Sequence, residues 1–342
     1  MKKILFLILT LLLLAGAFVA YIFYQRVFAP NVKIKDNKSF LYIRTGSNFN
    51  QVVDELTSQQ ILINAESFKW LAEKMNYTER VIPGRYEITD NMNNRQLLQL
   101  LRSGKQVPIK LTFNNIRTKS DLASRISHQI EADSLQLIGM LNDSVLLKSE
   151  SLNSENVLCL FIPNTYEMYW NTDAADFFKR MKKEYDNFWT EIRKQKAAKQ
   201  ELTPVQVSIL ASIVQSETKQ NAEKPRVAGV YLNRLRQNWK LEADPTLVFA
   251  LGDFSIKRVL NEYKTIDSPY NTYKYFGLPP GPICLPDISS IDAVLNAESH
   301  QYMYFCARED MSGFHAFAKD YNTHLLNARR YQAELNRRNI RN

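Results

Sequence analysis

Glu217 is the residue whose type and position most clearly suggest chemistry. The preceding apolar residues Leu210, Ile213 and Val214 recur at three- and four-residue spacing, which predicts a helix with one buried face. Glu217 continues that spacing, so we expect its carboxyl group on the same face, near the helix C-terminus. Burial and the negative end of the helix dipole both raise the pKa of a carboxyl group. A carboxylic acid that keeps its proton near neutral pH is suited to general acid catalysis.

The helix that carries this residue has a clear predicted start. Thr203 supplies a capping hydroxyl, and Pro204 follows at a position where no backbone donor is lost. Ser216 and Thr218 flank Glu217, and we expect their hydroxyls to orient its carboxyl group. Periodicity alone does not favour catalysis, because an off-pattern glutamate at a helix end is usually exposed or paired with a cation.

The residues after this helix predict further elements around the site. Asn221 is expected to cap a second helix, whose inner face carries Val227 and Val230. A turn at Gly313 between two strand-like pieces brings in His315.

A long segment without regular periodicity, "SPYNTYKYFGLPPGPICLP", concentrates tyrosine, asparagine, glycine and proline. Ordered loops of this composition usually serve binding. Aromatic faces and amide groups suit the apolar faces and hydroxyl edges of sugar rings. Asn271, Thr272 and Tyr273 are therefore candidates to bind sugar hydroxyls and N-acetyl groups, although they could equally well structure the loop.

Over these blocks the chain resembles the endolytic murein transglycosylases, also called the YceG-like family. The family pattern, roughly "ASIIEKET…ER..VA.VF.NRL…L..DPT", is met here by "ASIVQSETKQNAEKPRVAGVYLNRLRQNWKLEADPT". The blocks "YNTY", "GLPPGPI" and "YFCARED…FHAF" continue the match in the same order. The resemblance covers nearly the whole chain and is most specific between residues 205 and 325.

The resemblance implies cleavage of peptidoglycan glycan strands at internal sites, leaving 1,6-anhydro-N-acetylmuramic acid ends. The catalytic glutamate of the family is the second Glu of "EKET", which corresponds to Glu217. The first Glu of that block is Gln215 here, a departure that we expect to tune the pKa of Glu217. One carboxyl group suffices, because the C6 hydroxyl of the muramic acid supplies the nucleophile. The resemblance implies no metal and no cofactor.

The roles of the other candidate residues are open at this stage. Asp244 either stabilises an oxocarbenium-like transition state, positions Asn233 and Arg234, or simply caps a helix. His315 either binds glycan or is a core or loop histidine, and Glu223 is explained by the dipole of its own helix. The substrate-binding candidates are Asn233, Asp244, Thr246, Asn271, Thr272, Tyr273 and His315.

Two rival functions remain compatible with the sequence. The first is a lysozyme-like muramidase, in which water attacks and Asp244 is the second carboxylate. The second is a non-catalytic, membrane-anchored glycan-binding scaffold that organises synthesis enzymes.

Composition excludes a disordered chain and gives little support to nucleic acid binding. Of the 342 residues, 45% are hydrophobic, and the net charge of +9 is spread along the chain. There is no zinc-ligand spacing, RNA-binding signature or basic helical stripe, so we expect no nucleic acid partner. The three cysteines lie far apart without CxxC spacing, which favours buried free thiols over a disulfide framework or a metal site.

The first 24 residues indicate a membrane anchor. An uncharged run of about 21 residues, 4–24, follows Lys2 and Lys3 and is long enough to cross about 30 Å of hydrocarbon. The two lysines are expected to stay in the cytoplasm, with Tyr21 and Tyr24 at the far interface. A cleaved signal peptide is the alternative, but the apolar run is longer than a typical one.

A small basic domain is predicted between the anchor and the catalytic region. It begins with a strand and a helix that carries Val52, Val53 and Leu56 on one face. A second helix is expected to start at a Ser67 cap, and a third to end at Gly104. This βααβα-like unit loosely resembles lysin-motif (LysM) glycan-binding modules, but a packing domain that binds nothing is as plausible.

The predicted fold class is α+β, with a transmembrane helix, a small LysM-like domain and a larger catalytic domain. The predicted location of the protein is the bacterial inner (cytoplasmic) membrane. We expect a single-pass protein with the catalytic domain on the periplasmic, or extracytoplasmic, side. Peptidoglycan strands are the expected substrate, and the family resemblance points to peptidoglycan synthases as partners. The predicted segments are a cytoplasmic tail (1–3), the span (4–24), a stalk (25–39), the LysM-like domain (40–106) and the catalytic domain (107–342).

Overall fold

The computed structural model describes residues 1–256 and 259–338. The chain folds into two compact units, and the mixed α+β class predicted from the sequence is confirmed. Unit 1 comprises Met1–Leu111, Gln129–Glu131 and Tyr166–Asp173, and unit 2 comprises Thr112–His128, Ala132–Thr165 and Ala174–Asn342.

The first helix, α1, spans Lys2–Val27 and is long and apolar enough to cross a membrane. Its apolar side chains are exposed, and only Val27 at its end is buried. Since exposed aliphatic side chains over this length are stable in lipid rather than in water, the helix is compatible with a single-pass anchor.

Unit 1 has the predicted order of strand, two helices, strand and helix. Strands β1 and β2 pair antiparallel, with Lys38 opposite Thr89 and Ile43 opposite Gly84. The likeness of this unit to LysM modules remains a prediction. The elements are β1 (Lys38–Ile43), α2 (Phe49–Ser58), α3 (Ala65–Lys74), β2 (Gly84–Thr89) and α4 (Asn94–Ser103).

Two details of unit 1 differ from the sequence predictions. Helix α3 is capped by the side chain of Asn64, which accepts a hydrogen bond from the backbone of Ser67, so the predicted Ser67 cap is wrong. The predicted stalk is also not a free spacer, because Val27 and Val32 are buried in the core of unit 1. The segment is polar on average, but these two apolar residues face the core, and its role as a stalk remains a prediction.

Unit 2 is predominantly helical. The chain passes between the two units within β3 (Ile109–Phe113) and β4 (Asn164–Met168). The helices are α5 (Lys119–Ser127), α6 (Ser134–Asn142), α7 (Ser144–Ser149), α8 (Ala174–Phe188), α9 (Glu191–Lys199), α10 (Pro204–Glu217), α11 (Lys224–Arg236), α12 (Asp244–Leu251), α13 (Ile288–Leu295) and α14 (Tyr321–Arg337).

Helix α10 is the centre of the core of unit 2. All eight residues from Val207 to Val214 are buried, including Ser208 and Ser212. The sequence predicted one buried face, whereas the helix is enclosed on every side by elements that include α11 and α13. The Ser212 hydroxyl donates to the carbonyl of Ile209 and accepts from the backbone of Ile283, which satisfies its buried polar atoms.

The hairpin predicted near the C-terminus is confirmed. Strands β5 (Tyr304–Ala307) and β6 (His315–Ala318) pair antiparallel, with Ala307 opposite His315. Gly313 has φ +78°, the left-handed conformation that favours glycine in the connecting turn. The cysteines are free thiols, with Cys159 and Cys284 buried as expected.

Candidate active site

Helix α10 delivers Glu217 to the site as its last residue. The Thr203 side chain caps the start of the helix in a capping box with Gln206, and Pro204 follows, as predicted. The chain leaves the helix at Thr218, which has an extended conformation. A helix held by a fully enclosed core therefore fixes the position of the one acidic residue at its end.

Glu217 lies on a cleft with a volume of about 330 Å³. Its side chain is half-buried, so it is surrounded by protein yet reachable from the cleft. Asp244 lies on the same cleft and is exposed, and Arg117 stands over the ring of Phe254, with 4.5 Å between the guanidinium carbon and the ring centroid. The lining also includes Ser216, Pro245, Val248, Phe249 and Ile283.

The environment raises the pKa of Glu217 from its ordinary value of 4.5 to about 7. Desolvation is the main cause, and the negative charge of Asp244 adds to it. The hydrogen bond from Tyr231 and the positive charge of Arg234 act in the opposite direction. Near neutral pH a substantial fraction of the side chain therefore carries the proton that general acid catalysis requires.

Tyr231, which the sequence analysis missed, orients this carboxyl group. Its hydroxyl donates a hydrogen bond of 2.5 Å to Oε1 of Glu217. Tyr231 lies on α11 and is only 1% exposed, so the bond is shielded from water. In the sequence, Tyr231 falls on the inner face of the next helix. Hydrophobic periodicity counts a tyrosine there as an apolar core residue and does not show what its hydroxyl binds.

The flanking hydroxyls do not orient Glu217. Ser216 donates to the carbonyl of Ser212 one turn earlier, and Thr218 donates to Glu223. The predicted orienting role of these hydroxyls is therefore not observed, because Ser216 bonds back within α10 and Thr218, beyond the helix end, bonds Glu223.

Gln215 also lies away from the carboxyl group. Its side-chain oxygen accepts from the backbone of Asp287 and from Ser290, so it links α10 to the start of α13. The expected influence of this position on the pKa of Glu217 finds no support in these contacts.

Asp244 is a second carboxylate of the cleft. Asp244 is the first residue of α12, and the capping position before it is occupied by Ala243. Asp244 is therefore not the capping residue of this helix. The hydroxyl of Tyr273 donates to Asp244 with an O–O distance of 2.5 Å. The positioning of Asn233 and Arg234 by Asp244 is not observed either, since those side chains bind other partners.

Asn233 and Arg234 hold the segment that leads into β5. Asn233 donates to the carbonyls of His300 and Tyr302, and Arg234 donates to that of Met303. The side-chain nitrogen of Asn233 is thus bound to the backbone, and substrate binding by this residue remains a prediction.

Three other predicted binding residues form a buried frame beneath the cleft. The Asn271 side chain bonds four backbone groups of its own loop. Thr272 accepts from the backbone of Ala243 and shares a hydrogen bond with Thr246. All three side chains are at most 2% exposed, so they hold the backbone in this structure, and their contact with substrate remains a prediction. Tyr273 alone among the loop candidates contacts a residue of the cleft.

His315 lies beside a buried carboxylate, that of Glu223. Its backbone N–H donates to Glu223 at 2.7 Å, and its Nδ1 lies 2.8 Å from the other oxygen of that carboxylate. Glu223 is 3% exposed and precedes α11 without capping it, and the predicted Asn221 cap is not observed. The His315 ring packs edge-on against Phe305, which packs likewise on Tyr231. His315 therefore supports Tyr231 through Phe305, and its role in glycan binding remains a prediction.

Among the residues that the structure describes, no group of three or more His, Cys, Asp or Glu side chains could hold a metal ion.

The site consists of a half-buried acid, Glu217, a tyrosine that orients it, and a second carboxylate beside a partly apolar cleft. These are the parts of an acid–base enzyme that acts on a polar substrate.

Comparison with known proteins places this chain in a family. The YceG-like family model matches residues 41–330, so the chain belongs to the YceG-like family. It is 27% identical over 320 residues to the endolytic murein transglycosylase of Bacillus subtilis strain 168, covering 88% of each chain. It is 25% identical to the endolytic murein transglycosylase of Streptococcus pneumoniae D39, of which it covers 60%.

A solved structure supports the same conclusion. The crystal structure of a YceG-like protein from Listeria monocytogenes is 27% identical and superposes with a TM-score of 0.54, covering 85% of this chain and 99% of that one. The resemblance noted from the sequence is thereby confirmed.

Proposed function

We propose that this protein is an endolytic lytic transglycosylase, a lyase that cuts the MurNAc–GlcNAc bond within peptidoglycan strands and leaves 1,6-anhydro-MurNAc ends. The class follows from membership of the YceG-like family, whose relatives in two organisms are named endolytic murein transglycosylases. The observation that carries the proposal is Glu217, half-buried on a cleft with its pKa raised to about 7.

Glu217 first acts as the acid. Its proton passes to the glycosidic oxygen of the leaving GlcNAc as the bond from C1 of MurNAc to that oxygen breaks. The electron pair of the bond leaves with the oxygen, and positive charge develops on C1 and the ring oxygen. We assign the stabilisation of that charge to Asp244, which lines the same cleft.

Glu217 then acts as the base. The C6 hydroxyl of the same MurNAc attacks C1, and the carboxylate takes up the hydroxyl proton. The acid is thereby restored and no water is consumed. Because the nucleophile belongs to the substrate, its proximity replaces a second catalytic carboxylate.

Tyr231 serves both steps. Its hydrogen bond to Oε1 leaves Oε2 as the oxygen that carries the proton. The same bond stabilises the carboxylate that forms when the proton has been transferred.

A substitution at Glu217 tests the proposal. Glu217→Gln keeps the shape of the side chain but supplies no acidic proton, and we expect release of glycan fragments to fall about 10²–10⁴-fold. Glu309→Gln, an exposed carboxylate in the β5–β6 turn, is the control and should retain activity. A Glu217→Gln protein as active as the wild type would refute the assignment and would favour a scaffold role.

Hydrolysis is the second candidate, favoured by the presence of Asp244 on the same cleft. In that mechanism Asp244 would activate or replace water as the attacking group, as in lysozyme-like enzymes. Hydrolysis would leave reducing MurNAc ends, whereas transglycosylation leaves anhydro ends.

We further propose that α1 anchors the enzyme in the inner membrane, with unit 2 on the extracytoplasmic side, where it cuts nascent strands beside the synthases and ends their elongation. Support comes from the apolar helix and from the burial of Val27 and Val32, which holds the end of the helix against the rest of unit 1. An insertion of 18 helical residues after Tyr24 would lift the enzyme by about 27 Å without changing its rotational phase. Glycan strands should become longer in cells that carry it, and an unchanged length distribution would contradict the proposal.

A further inference from the structure

The end of α1 and the nearby helices of unit 1 form a cluster of aromatic and arginine side chains, here called the collar. Its members are Phe23, Arg26, Phe28, Trp70 and Arg95. The ring of Phe23 lies 6.2 Å from that of Trp70 and 6.4 Å from that of Phe28, measured between centroids. The guanidinium carbon of Arg26 lies 5.2 Å from the centre of Trp70, and that of Arg95 lies 5.7 Å from the centre of Phe28. The collar thus joins residues of α1, α3 and α4 with the residue that follows α1.

The collar is fixed to the helix without a hinge. Asn94 is 1% exposed and donates to the backbone carbonyl of Arg26 at 2.8 Å and to Ser67 of α3 at 3.0 Å. The amide of Asn31 donates to Asn94 in turn, and Val27 lies in the core of unit 1. The depth of α1 in a bilayer therefore also determines the depth of the collar.

The length of the apolar run defines that depth. The 21 residues 4–24 rise about 31 Å as a helix, which matches the hydrocarbon thickness of about 30 Å. Phe23 is the second-last residue of the run, so its partner Trp70 lies at the boundary between hydrocarbon and headgroups. Arg26 follows within the headgroup layer.

The chemistry of the collar suits that boundary. Tryptophan is enriched where an apolar ring meets the polar layer, and arginine forms bidentate hydrogen bonds with phosphate. Arg26, Phe28 and Arg95 are exposed, and neither arginine has a carboxylate partner within 4 Å among residues 1–256 and 259–338. The cations thus remain available for an anionic surface.

We propose that the collar binds the headgroup layer of an anionic bilayer, so that unit 1 is a membrane-surface module and not a domain suspended above it. The inference rests on the proposal that α1 spans the membrane. It assigns the lipid surface as a second partner of the protein, separate from the glycan cleft.

Fluorescence quenching by lipid tests the proposal. The full chain is reconstituted in vesicles of phosphatidylcholine and phosphatidylglycerol, with acyl chains brominated near the headgroup. We expect Trp70→Phe to remove at least half of the quenching of the wild-type fluorescence. Trp170→Phe is the matched control in the same unit, since Trp170 packs on Tyr42, and it should leave the quenching unchanged. A loss of less than half in Trp70→Phe overturns the proposal.

A deep probe separates this result from a failure of the membrane span. Leu13→Trp, added to Trp70→Phe, should be quenched by lipids brominated near the chain ends. If that probe is quenched while Trp70 is not, the span stands and the collar proposal is wrong. Both readouts are independent of enzyme activity, so neither bears on the cleavage reaction.

The arginines are tested through hydrogen exchange of the α3 amides. Anionic vesicles should protect these amides more than pure phosphatidylcholine vesicles do, and Arg95→Gln should reduce that extra protection about fivefold. Arg102→Gln, at the other end of α4, should leave it unchanged. Equal effects of the two substitutions would contradict a role for the collar arginines.

Discussion

Replacing Glu217 by glutamine should change how the stability of the protein depends on pH. The folded state holds the pKa of Glu217 at about 7, above its ordinary value of 4.5, so between these pH values the folded state binds a proton that the unfolded state releases. The stability that Glu217 contributes is therefore fully present below about pH 4.5 and is lost as the pH rises through about 7. Glutamine does not titrate and lacks this dependence.

The expected size follows from the two pKa values. Integration of the proton linkage between about pH 5 and pH 8 gives a relative loss of about 2.5 kcal/mol in the free energy of unfolding of the wild type. The substitution also changes the Tyr231 hydrogen bond, which adds a pH-independent amount to the difference in the free energy of unfolding between the two proteins. The pH dependence of that difference therefore reports on the titration of Glu217.

Urea unfolding followed by tryptophan fluorescence provides the assay. Trp189 is 1% exposed and belongs to the core of unit 2, so its emission reports on the unit that holds Glu217. The advantage of wild type over Glu217→Gln should shrink by about 2.5 kcal/mol from about pH 5 to pH 8. A difference that stays constant, or that changes in the opposite direction, would refute the conclusion that the site keeps this acid protonated.

Three further predictions concern the neighbours of the acid. Tyr231→Phe removes a bond that lowers the pKa of Glu217, so the alkaline limb of the pH–rate profile should move to higher pH, and a limb that stays in place would exclude this role. Asp244→Asn removes a charge that raises the same pKa, so the limb should move to lower pH, and a shift in the same direction as in Tyr231→Phe would contradict the assigned electrostatics. Asn271→Ala should lower the free energy of unfolding by about 1–3 kcal/mol with the limb unchanged, because its side chain holds backbone groups; unchanged stability with a raised KM would instead make it a substrate ligand.

The sequence predicted the elements that follow strong local rules. The start of α10 at Thr203 and Pro204, the turn at Gly313 and the end of α4 at Gly104 all depend on backbone chemistry that a few residues determine. The position of Glu217 beside a cleft agrees with its place after a run of apolar residues. Local patterns of this kind are independent of the rest of the fold.

The partners of the polar side chains could not be predicted in the same way. Asn271 and Thr272 look like sugar-binding residues in sequence, but a loop without regular structure needs internal hydrogen bonds, and they supply them. Tyr231 was missed for the converse reason, since a tyrosine within an apolar stripe shows nothing of where its hydroxyl points. Whether a polar side chain binds substrate or the backbone depends on contacts between segments that are distant in sequence.

The nature of the glycan ends tests the central mechanism most directly. Purified strands are digested by the wild-type enzyme in water labelled with ¹⁸O, and the new muramic acid ends are weighed by mass spectrometry. If the C6 hydroxyl of the substrate is the nucleophile, those ends are lighter than reducing ends by one water and carry no ¹⁸O. Reducing ends that contain ¹⁸O would show that water attacks, and a single acid with a substrate-borne nucleophile would then be the wrong account.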